Sequence, residues 1–167
     1  MTFHIATVST IPVAYTQTHK RAGIIPYRQS HPGIRLLLGV DTPTGEDTDL
    51  GGGVKTSDCG SIHAGIREFS EESFGIFGKI RPNELNNCLA VFNEELLIIF
   101  LPLKYDFEQS RQLFNSRRLE KEYSEIADLR EYSEVEFIDR IINPGKMYER
   151  IRLLLYHAIL ADGLFFS

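Results

Sequence analysis

The sequence contains no tryptophan, few cysteines and no long apolar run. Its two cysteines, Cys59 and Cys88, are too few for a disulfide framework and lack the paired spacing of a zinc site, so we expect a reducing, cytoplasmic environment. No apolar run approaches the roughly 20 residues that span a bilayer, and the amino-terminal segment lacks a basic region followed by an apolar core. We therefore expect neither a membrane span nor a targeting segment.

An excess of positive charge is also missing. The 18 lysines and arginines are outnumbered by 23 aspartates and glutamates, which gives a formal net charge of -5. This balance argues against bulk electrostatic attraction to a polyanion such as nucleic acid, but it leaves room for a local basic patch that faces phosphates.

The overall composition is typical of a globular domain that is long enough to bury a sizeable core. The 167 residues are 43% hydrophobic and 25% charged, which predicts a single domain over residues 1–167. Strand-like apolar stretches occur at 21–27, 33–40, 89–92 and 96–103. Helical patterns occur at 61–74 and from 147 onwards, and the patterns at 107–123 and 135–142 do not decide between helix and irregular structure. This order predicts a mixed α/β domain.

A polar segment separates the first two strands, a predicted hairpin, from the first long helix. The segment DTPTGEDTDLGGGVKTSDCGS, residues 41–61, has the glycine-rich composition of a loop around one short strand at 48–50. Either Ser61 or Asp58 is expected to cap the helix that follows. Gly75 stands where a left-handed residue ends a helix.

The helix itself contains an unusual group of acidic residues, in the stretch GIREFSEES. On a helical wheel its apolar residues form one face and Glu68, Glu71 and Glu72 form the opposite face, which predicts that the three carboxylates face solvent. The ordinary interpretation is a solvated charged surface. However, like charges three or four residues apart repel by a few tenths of a kcal/mol, and Arg67 with Glu71 is the single compensating pair. A hard divalent cation such as Mg²⁺ would remove this repulsion.

The residues around the glutamates resemble the signature of the Nudix hydrolases. Five residues separate Gly53 from position 59, and seven more lead to Arg67, which begins the run REFSEE; Gly75 and Ile76 follow. The long spacing and the REFSEE core together identify the chain as a member of that family. The resemblance covers about 25 residues and implies an α/β/α sandwich with a mixed sheet.

Three features depart from the family pattern. Cys59 occupies the position of the first glutamate, so that either the adjacent Asp58 substitutes for it or its supporting role is absent. Two residues, Ser73 and Phe74, precede Gly75 where one is usual. Gly51 replaces a common proline, which predicts a more flexible loop.

The resemblance also implies the chemistry of the site. Glu71 and Glu72 would ligate a catalytic Mg²⁺ or Mn²⁺, and Glu68 would be a further ligand or the base. Arg67 would hold the glutamates through charge-assisted hydrogen bonds. Water activated by the metal would then attack a diphosphate that is linked to another group.

Residues outside the glutamate run complete the predicted site. Gly52 and Gly53 would let the backbone approach the substrate closely, and Lys55 would contact a phosphate. A remote glutamate is expected to supply a last ligand or base; Glu122 is the residue that we assign, and the alternatives are Glu94 and Glu95 in the NEE turn. Weaker candidates are His63 and the basic pair Arg117 and Arg118 for phosphates, and Tyr27, Phe92, Phe107 and Phe114 for stacking on a base.

Three functions are compatible with this pattern. The first is a metal-dependent hydrolase of a small nucleoside diphosphate derivative, and the second is the same chemistry on 5′-capped RNA, as in mRNA-decapping members of the family. The third is a Nudix-fold module that binds a nucleotide without cleaving it, since the first glutamate is missing. A homodimer is compatible with the sequence. The sequence does not identify which diphosphate is the substrate.

Overall fold

A mixed β-sheet lies between two layers of helices in the computed structural model, which describes residues 2–30 and 33–162. The strands in this part of the chain are β1 (His4–Thr7), β2 (Arg21–Ser30), β3 (Gly33–Asp41), β4 (Asp47–Thr48), β5 (Leu50–Gly53), β6 (Leu89–Phe92), β7 (Leu96–Pro102) and β8 (Ile126–Ser133). The helices are α1 (Val13–Thr18), α2 (Ser61–Glu72), α3 (Phe107–Arg118), α4 (Glu134–Ile142) and α5 (Glu149–Asp162), with short 3₁₀ turns at Val8–Thr10 and Pro82–Leu85.

Strand β2 organises the sheet. The strand order is β1-β6-β7-β2-β3-β4, with β5 paired to β2 and β8 paired to β3. The pairing of β2 with β7 is parallel, and the other described pairs are antiparallel. The first residues of β2 pair with β5 and its last residues pair with β3, so the glycine run lies beside Arg21.

Alternate residues of the strands point to opposite faces of the sheet, as the period of two requires. On one face, Ile24, Leu37 and Ile99 pack in the same cluster as residues of α2 and α3. On the other face, Leu36 and Phe100 pack with residues of α4 and α5. This arrangement confirms the predicted α/β/α sandwich with a mixed sheet.

Most of the predicted strands and helices are confirmed. The hairpin forms from β2 and β3, although residues 31 and 32 of its predicted turn lie outside the described residues. The apolar stretches at 89–92 and 96–103 are β6 and β7, and Pro102 ends β7. The two undecided stretches contain α3 and α4, and α4 begins with a capping box formed by Ser133 and Glu136.

The glycine run was wrongly predicted to be a loop. Residues 50–53 form β5 and pair in register with 21–24 of β2. The short elements β1 and α1, and the longer strand β8, were not predicted from the sequence. In the part of the chain that the structure describes, none of the helices has the length and apolar character needed to cross a bilayer.

Candidate active site

Helix α2 packs closely across β2 because small residues face each other at the contact. A Cβ added at Gly65 would lie 3.6 Å from the Cβ of Ala22, an ordinary van der Waals contact. Phe69 and Ala64 on the same side of the helix are buried in the core. Of the predicted apolar face, Phe69 is buried against the sheet, whereas Ile62 and Ile66 are half-buried beside it.

The start of α2 differs from the prediction, since neither Ser61 nor Asp58 caps it. The residue before the helix is Gly60, whose φ of 95° favours glycine. The Ser61 hydroxyl lies 2.8 Å from Nδ1 of the buried His19. Nε2 of His19 donates to the carbonyl of Asn93, so Nδ1 accepts from Ser61 and the start of α2 is tied to the β6–β7 turn.

The acidic side of α2 is not a solvated face. Glu68 and Glu72 are each only 9% exposed, whereas the side chain of Glu71 is 56% exposed. A Cβ added at Gly52 would lie 2.5 Å from the carboxylate carbon of Glu68, so β5 covers this side of the helix. The prediction that all three glutamates face solvent is wrong for Glu68 and Glu72, because the helical wheel contains no information about β5.

Arg67 links the glutamates to the segment before the helix. Its Nη1 donates to Oε1 of Glu68 at 3.0 Å and to Oε2 of Glu71 at 3.2 Å. Its Nη2 donates to the carbonyl of Gly53 at 3.0 Å. The structure thus brings Arg67, the two glutamates and the end of β5 together.

Asp58 takes the other side of the same guanidinium. Nε and Nη2 of Arg67 donate to the two oxygens of Asp58 at 2.8 and 2.9 Å, and the backbone N–H of Lys55 donates to Asp58 at 2.8 Å. The hydrogen bonds from Arg67 lower the pKa of Asp58 to about 2. Cys59, which occupies the position of the family's first glutamate, is exposed. The structure therefore places a carboxylate next to Arg67 from position 58 instead of position 59.

Glu72 has an unfavourable environment for a charged carboxylate. Burial, followed by the charge of Asp49, raises its pKa to about 9. Its Oε1 is buried and has no hydrogen-bond partner among the described residues. Burial also raises the pKa of Glu68 against the opposing effect of Arg67. The negative charge of Glu125 adds to the rise in pKa at both residues.

A buried ion pair lies beside Glu72. Nη1 of Arg21 is 2.8 Å from both carboxylate oxygens of Asp49, which is fully buried and also accepts from the hydroxyl of Thr48. A Cβ added at Gly23 would lie 1.9 Å from Oδ2 of Asp49, so glycine at this position makes room for the carboxylate. Nη1 of Arg21 is therefore paired with Asp49, and the positive charge of Arg21 also opposes the rise in the pKa of Glu72.

Glu72 and the glycines line a cavity of about 320 Å³. Its lining comprises Arg21, Asp41, Thr44, Glu46, Thr48, Gly51, Gly52, Glu72, Glu125, Ile126 and Tyr148. We call this cavity the cleft. It contains Glu125 and Tyr148, which sequence analysis did not select. Glu125 directly precedes β8, a strand that was not predicted from the sequence, and nothing in the sequence marks Tyr148.

Several predicted site residues lie away from the cleft. Glu122 is exposed and does not line it. Glu94 and Glu95 are in the β6–β7 turn, where Glu95 pairs with Lys20 and Arg150. Lys55 lines a second surface depression near the start of α2. Gly52 is the predicted substrate-binding residue that lines the cleft.

The remaining candidates have structural surroundings. Phe92, Phe107 and Phe114 are buried in the core, and Tyr27 is half-buried against the core on the α5 side. Arg117 donates to the carbonyl of Phe74, one of the two residues between α2 and Gly75. His63 is exposed on α2. Arg118 is half-buried, and its Nε has no partner in the described chain.

The carboxylates of the site lie near one another without converging on a point. Across residues 2–30 and 33–162, no three His, Cys, Asp or Glu side chains form a group that could hold a metal ion as they stand. Arg67 holds one oxygen each of Glu68 and Glu71. Side-chain rotations are therefore needed before these carboxylates could share a cation.

The sequence matches no protein-family model and no curated protein. Solved structures that are similar to the chain include the following three. An Ap4A hydrolase from C. elegans in a binary complex has a TM-score of 0.50 and 20% identity, and the match covers 85% of this chain and 98% of that one. A second structure of the C. elegans Ap4A hydrolase has a TM-score of 0.48 and 19% identity, covering 86% and 99%. The Nudix hydrolase RenU from M. smegmatis has a TM-score of 0.46 and 12% identity, covering 90% and 92%.

At 20% identity, the likeness to the C. elegans Ap4A hydrolase in its binary complex concerns the fold alone. The chain has an α/β/α fold with a mixed sheet that is similar to the fold of this Ap4A hydrolase.

Proposed function

We propose that this protein is a metal-dependent hydrolase that cleaves the diphosphate linkage of a nucleoside diphosphate derivative. The observation that supports it best is Glu72, a carboxylate that is nine-tenths buried, faces other carboxylates and has an Oε1 without a partner in the described chain. A buried carboxylate of this kind is costly unless a cation joins it.

The residues fit a hard divalent cation in their chemistry. Glu71 and Glu72 of α2, with Glu125 before β8, are the carboxylates that would hold Mg²⁺ or Mn²⁺, both of which prefer oxygen ligands. Glu125 replaces Glu122 in this assignment because Glu125 lines the cleft and Glu122 does not. When bound, the ion would polarise phosphoryl oxygens and make water more acidic.

The other residues position the reacting groups. Asp58 and the Gly53 carbonyl orient the Arg67 guanidinium, which in turn holds Glu68 beside Gly52. In the proposed reaction, the oxygen of water forms a bond to phosphorus, the bridging P–O bond breaks, and Glu68 takes the proton of the attacking water. Burial raises the pKa of the Glu68 carboxyl group, which makes it a better proton acceptor than an exposed glutamate.

The experiment is a substrate panel with Mg²⁺ or Mn²⁺. Diadenosine tetraphosphate is tested first, because a structural neighbour is an Ap4A hydrolase. ADP-ribose, NADH, nucleoside triphosphates, diphosphoinositol phosphates and capped RNA complete the panel. We expect at least one diphosphate to be cleaved, chelator to stop the reaction, and Glu72→Gln to abolish it. Glu120→Gln is the matched control, because Glu120 is exposed and lies outside the cleft.

The alternative is a module that binds a nucleotide without cleaving it. Nucleotide affinity without turnover on every member of the panel, with both metals, would establish that alternative and overturn the hydrolase proposal. Turnover that Glu72→Gln leaves intact would show that the reaction occurs at another site.

A further inference from the structure

The cleft contains residues that the proposed hydrolysis does not use. Besides Glu72 and Glu125, it is lined by the aromatic ring of Tyr148 and by the carboxylates of Asp41 and Glu46. Because Glu72 is nine-tenths buried with an oxygen that lacks a partner in the described chain, the cavity has the character of a ligand site.

Tyr148 is held in place by its neighbours. Its backbone N–H donates to the carbonyl of Asp47 at 2.8 Å, and the N–H of Asp47 donates to the carbonyl of Lys146 at 2.9 Å. The preceding residue, Met147, is fully buried in the core. The guanidinium of Arg21 lies 5.3 Å from the centre of the Tyr148 ring. The backbone of Tyr148 is therefore fixed at the cleft, and Arg21 lies over its ring.

The charge of the cleft decides which part of a nucleotide can occupy it. Asp41, Glu46 and Glu125 contribute negative charge, and Nη1 of Arg21, the arginine of the lining, is already paired with Asp49. A cation bound by Glu72 and Glu125 would neutralise the charge of these two residues, but the charges of Asp41 and Glu46 would remain. These two carboxylates repel a phosphate and attract a group with N–H donors.

Glu46 is the carboxylate that is free to accept such donors. Oδ2 of Asp41 already accepts from the backbone N–H and the hydroxyl of Thr44. Glu46 is half-buried, and its side chain has no hydrogen bond or ion pair within the described residues. A guanine base offers two adjacent N–H donors that match one carboxylate, whereas adenine places an acceptor next to its amino group.

We propose that the cleft binds the base of the substrate, with guanine stacked on Tyr148 and its N–H edge bonded to Glu46. The inference rests on the proposed function, because it assigns the nucleoside end of the same substrate. Stacking on the ring supplies affinity for any base, and Glu46 supplies the choice of guanine. The protein then prefers guanosine-containing diphosphates over adenosine-containing ones.

The test uses binding without turnover. The chain contains no tryptophan, so Tyr148→Trp introduces a single fluorescent reporter into the cleft. GMP and AMP serve as probes in the presence of Mg²⁺, because a monophosphate has no diphosphate linkage to cleave. We expect GMP to quench the emission and to bind roughly tenfold or more tightly than AMP, in line with the discrimination that a bidentate pair gives.

Two further variants make the test specific. In the Tyr148→Trp background, Glu46→Gln should weaken GMP binding roughly tenfold and bring it close to AMP, whereas Glu120→Gln should change neither. Tyr105→Trp places the reporter at an exposed residue outside the cleft, and its emission should not respond.

The outcomes separate this inference from the hydrolase proposal. Three results would each overturn the base assignment, even in an active hydrolase: equal affinity for GMP and AMP, no effect of Glu46→Gln, or GMP binding by calorimetry while the emission of the Tyr148→Trp variant stays unchanged. Selective GMP binding in a protein that cleaves no diphosphate would support the base assignment and overturn the hydrolase proposal.

Discussion

Replacing Asp58 with asparagine tests whether position 58 supports Arg67 in the absence of the family's first glutamate. The substitution keeps the size of the side chain but removes the charge that accepts two hydrogen bonds from the guanidinium. In the folded protein those bonds lower the pKa of Asp58 from 3.8 to about 2. At about 1.4 kcal/mol per pH unit, this corresponds to about 2 kcal/mol, and solvent around the partly exposed Arg67 reduces it to about 1–2 kcal/mol.

The pH dependence has a definite sign. Because the pKa of Asp58 is lower in the folded state, its contribution is fully present above the unfolded pKa of about 4 and is lost as the pH falls towards 2. Roughly half of it remains at pH 3. Asp58→Asn should therefore lower the free energy of unfolding at pH 7, and the difference from the wild type should shrink between pH 4 and pH 3.

The assay is urea unfolding from pH 7 to pH 3, together with hydrolysis rates at pH 7. The rate should also fall, because Arg67 loses the partner that orients it towards Glu68. Cys59→Ser is the matched control. It should leave the free energy of unfolding unchanged because Cys59 is exposed, and it should leave the hydrolysis rate within a few-fold of the wild type because water is the proposed nucleophile. Equal stability of Asp58→Asn and wild type at pH 7, or a difference that persists undiminished at pH 3, would refute the reasoning.

Other substitutions test the rest of the site. Burial raises the pKa of Glu72 to about 9 in the folded protein, so the metal-free fold loses stability as the pH rises above the unfolded pKa of about 4.5. Glu72→Gln should therefore raise the melting temperature in chelator at pH 8 but change it little at pH 5. Millimolar Mg²⁺ or Mn²⁺ should raise the melting temperature of the wild type at pH 8, as a ligand of the folded state does, and an equal rise in Glu72→Gln would contradict its role as a ligand. Gly52→Ala should reduce activity and stability, because its Cβ would lie 2.5 Å from the Glu68 carboxylate carbon. Gly53→Ala is the control, with its nearest such contact at 4.0 Å, and comparable losses in both variants would show that the contact with Glu68 is not the cause.

The sequence predicted the architecture and the helix of the site because those features depend on local pattern. The helical spacing of Ile62, Ile66 and Phe69 located α2, and short apolar stretches between turn residues located β2, β3, β6 and β7. The predicted solvent exposure of Glu68 and Glu72 was wrong because β5 covers this side of α2. The sequence of the helix contains no information about the pairing of β5 with β2. A glycine run also has loop composition, although here glycine permits close contact between a strand and a carboxylate.

The residues that reach the cleft from distant parts of the sequence could not be predicted from local pattern. Glu125 reaches the site because β8 pairs with β3, and Tyr148 reaches it through its backbone bonds to Asp47. Neither pairing leaves a local signature. The predicted remote glutamate, Glu122, stands only three residues before Glu125 and yet does not line the cleft. A homodimer remains an untested prediction.

Asp47 joins an early part of the chain to residues near its other end, and the cleft forms only when both parts are present. The carboxylate is 1% exposed, and both of its oxygens lie within hydrogen-bond distance of the hydroxyl of Tyr132, 85 residues further along the chain. Its backbone pairs with Lys146 and Tyr148 as well. During synthesis the strand that contains Asp47 and the whole of α2 emerge long before these partners, so the acidic helix exists first without the opposite wall of its cleft. A chain that ends before residue 132 would keep every residue of the REFSEE run and still lack the cleft.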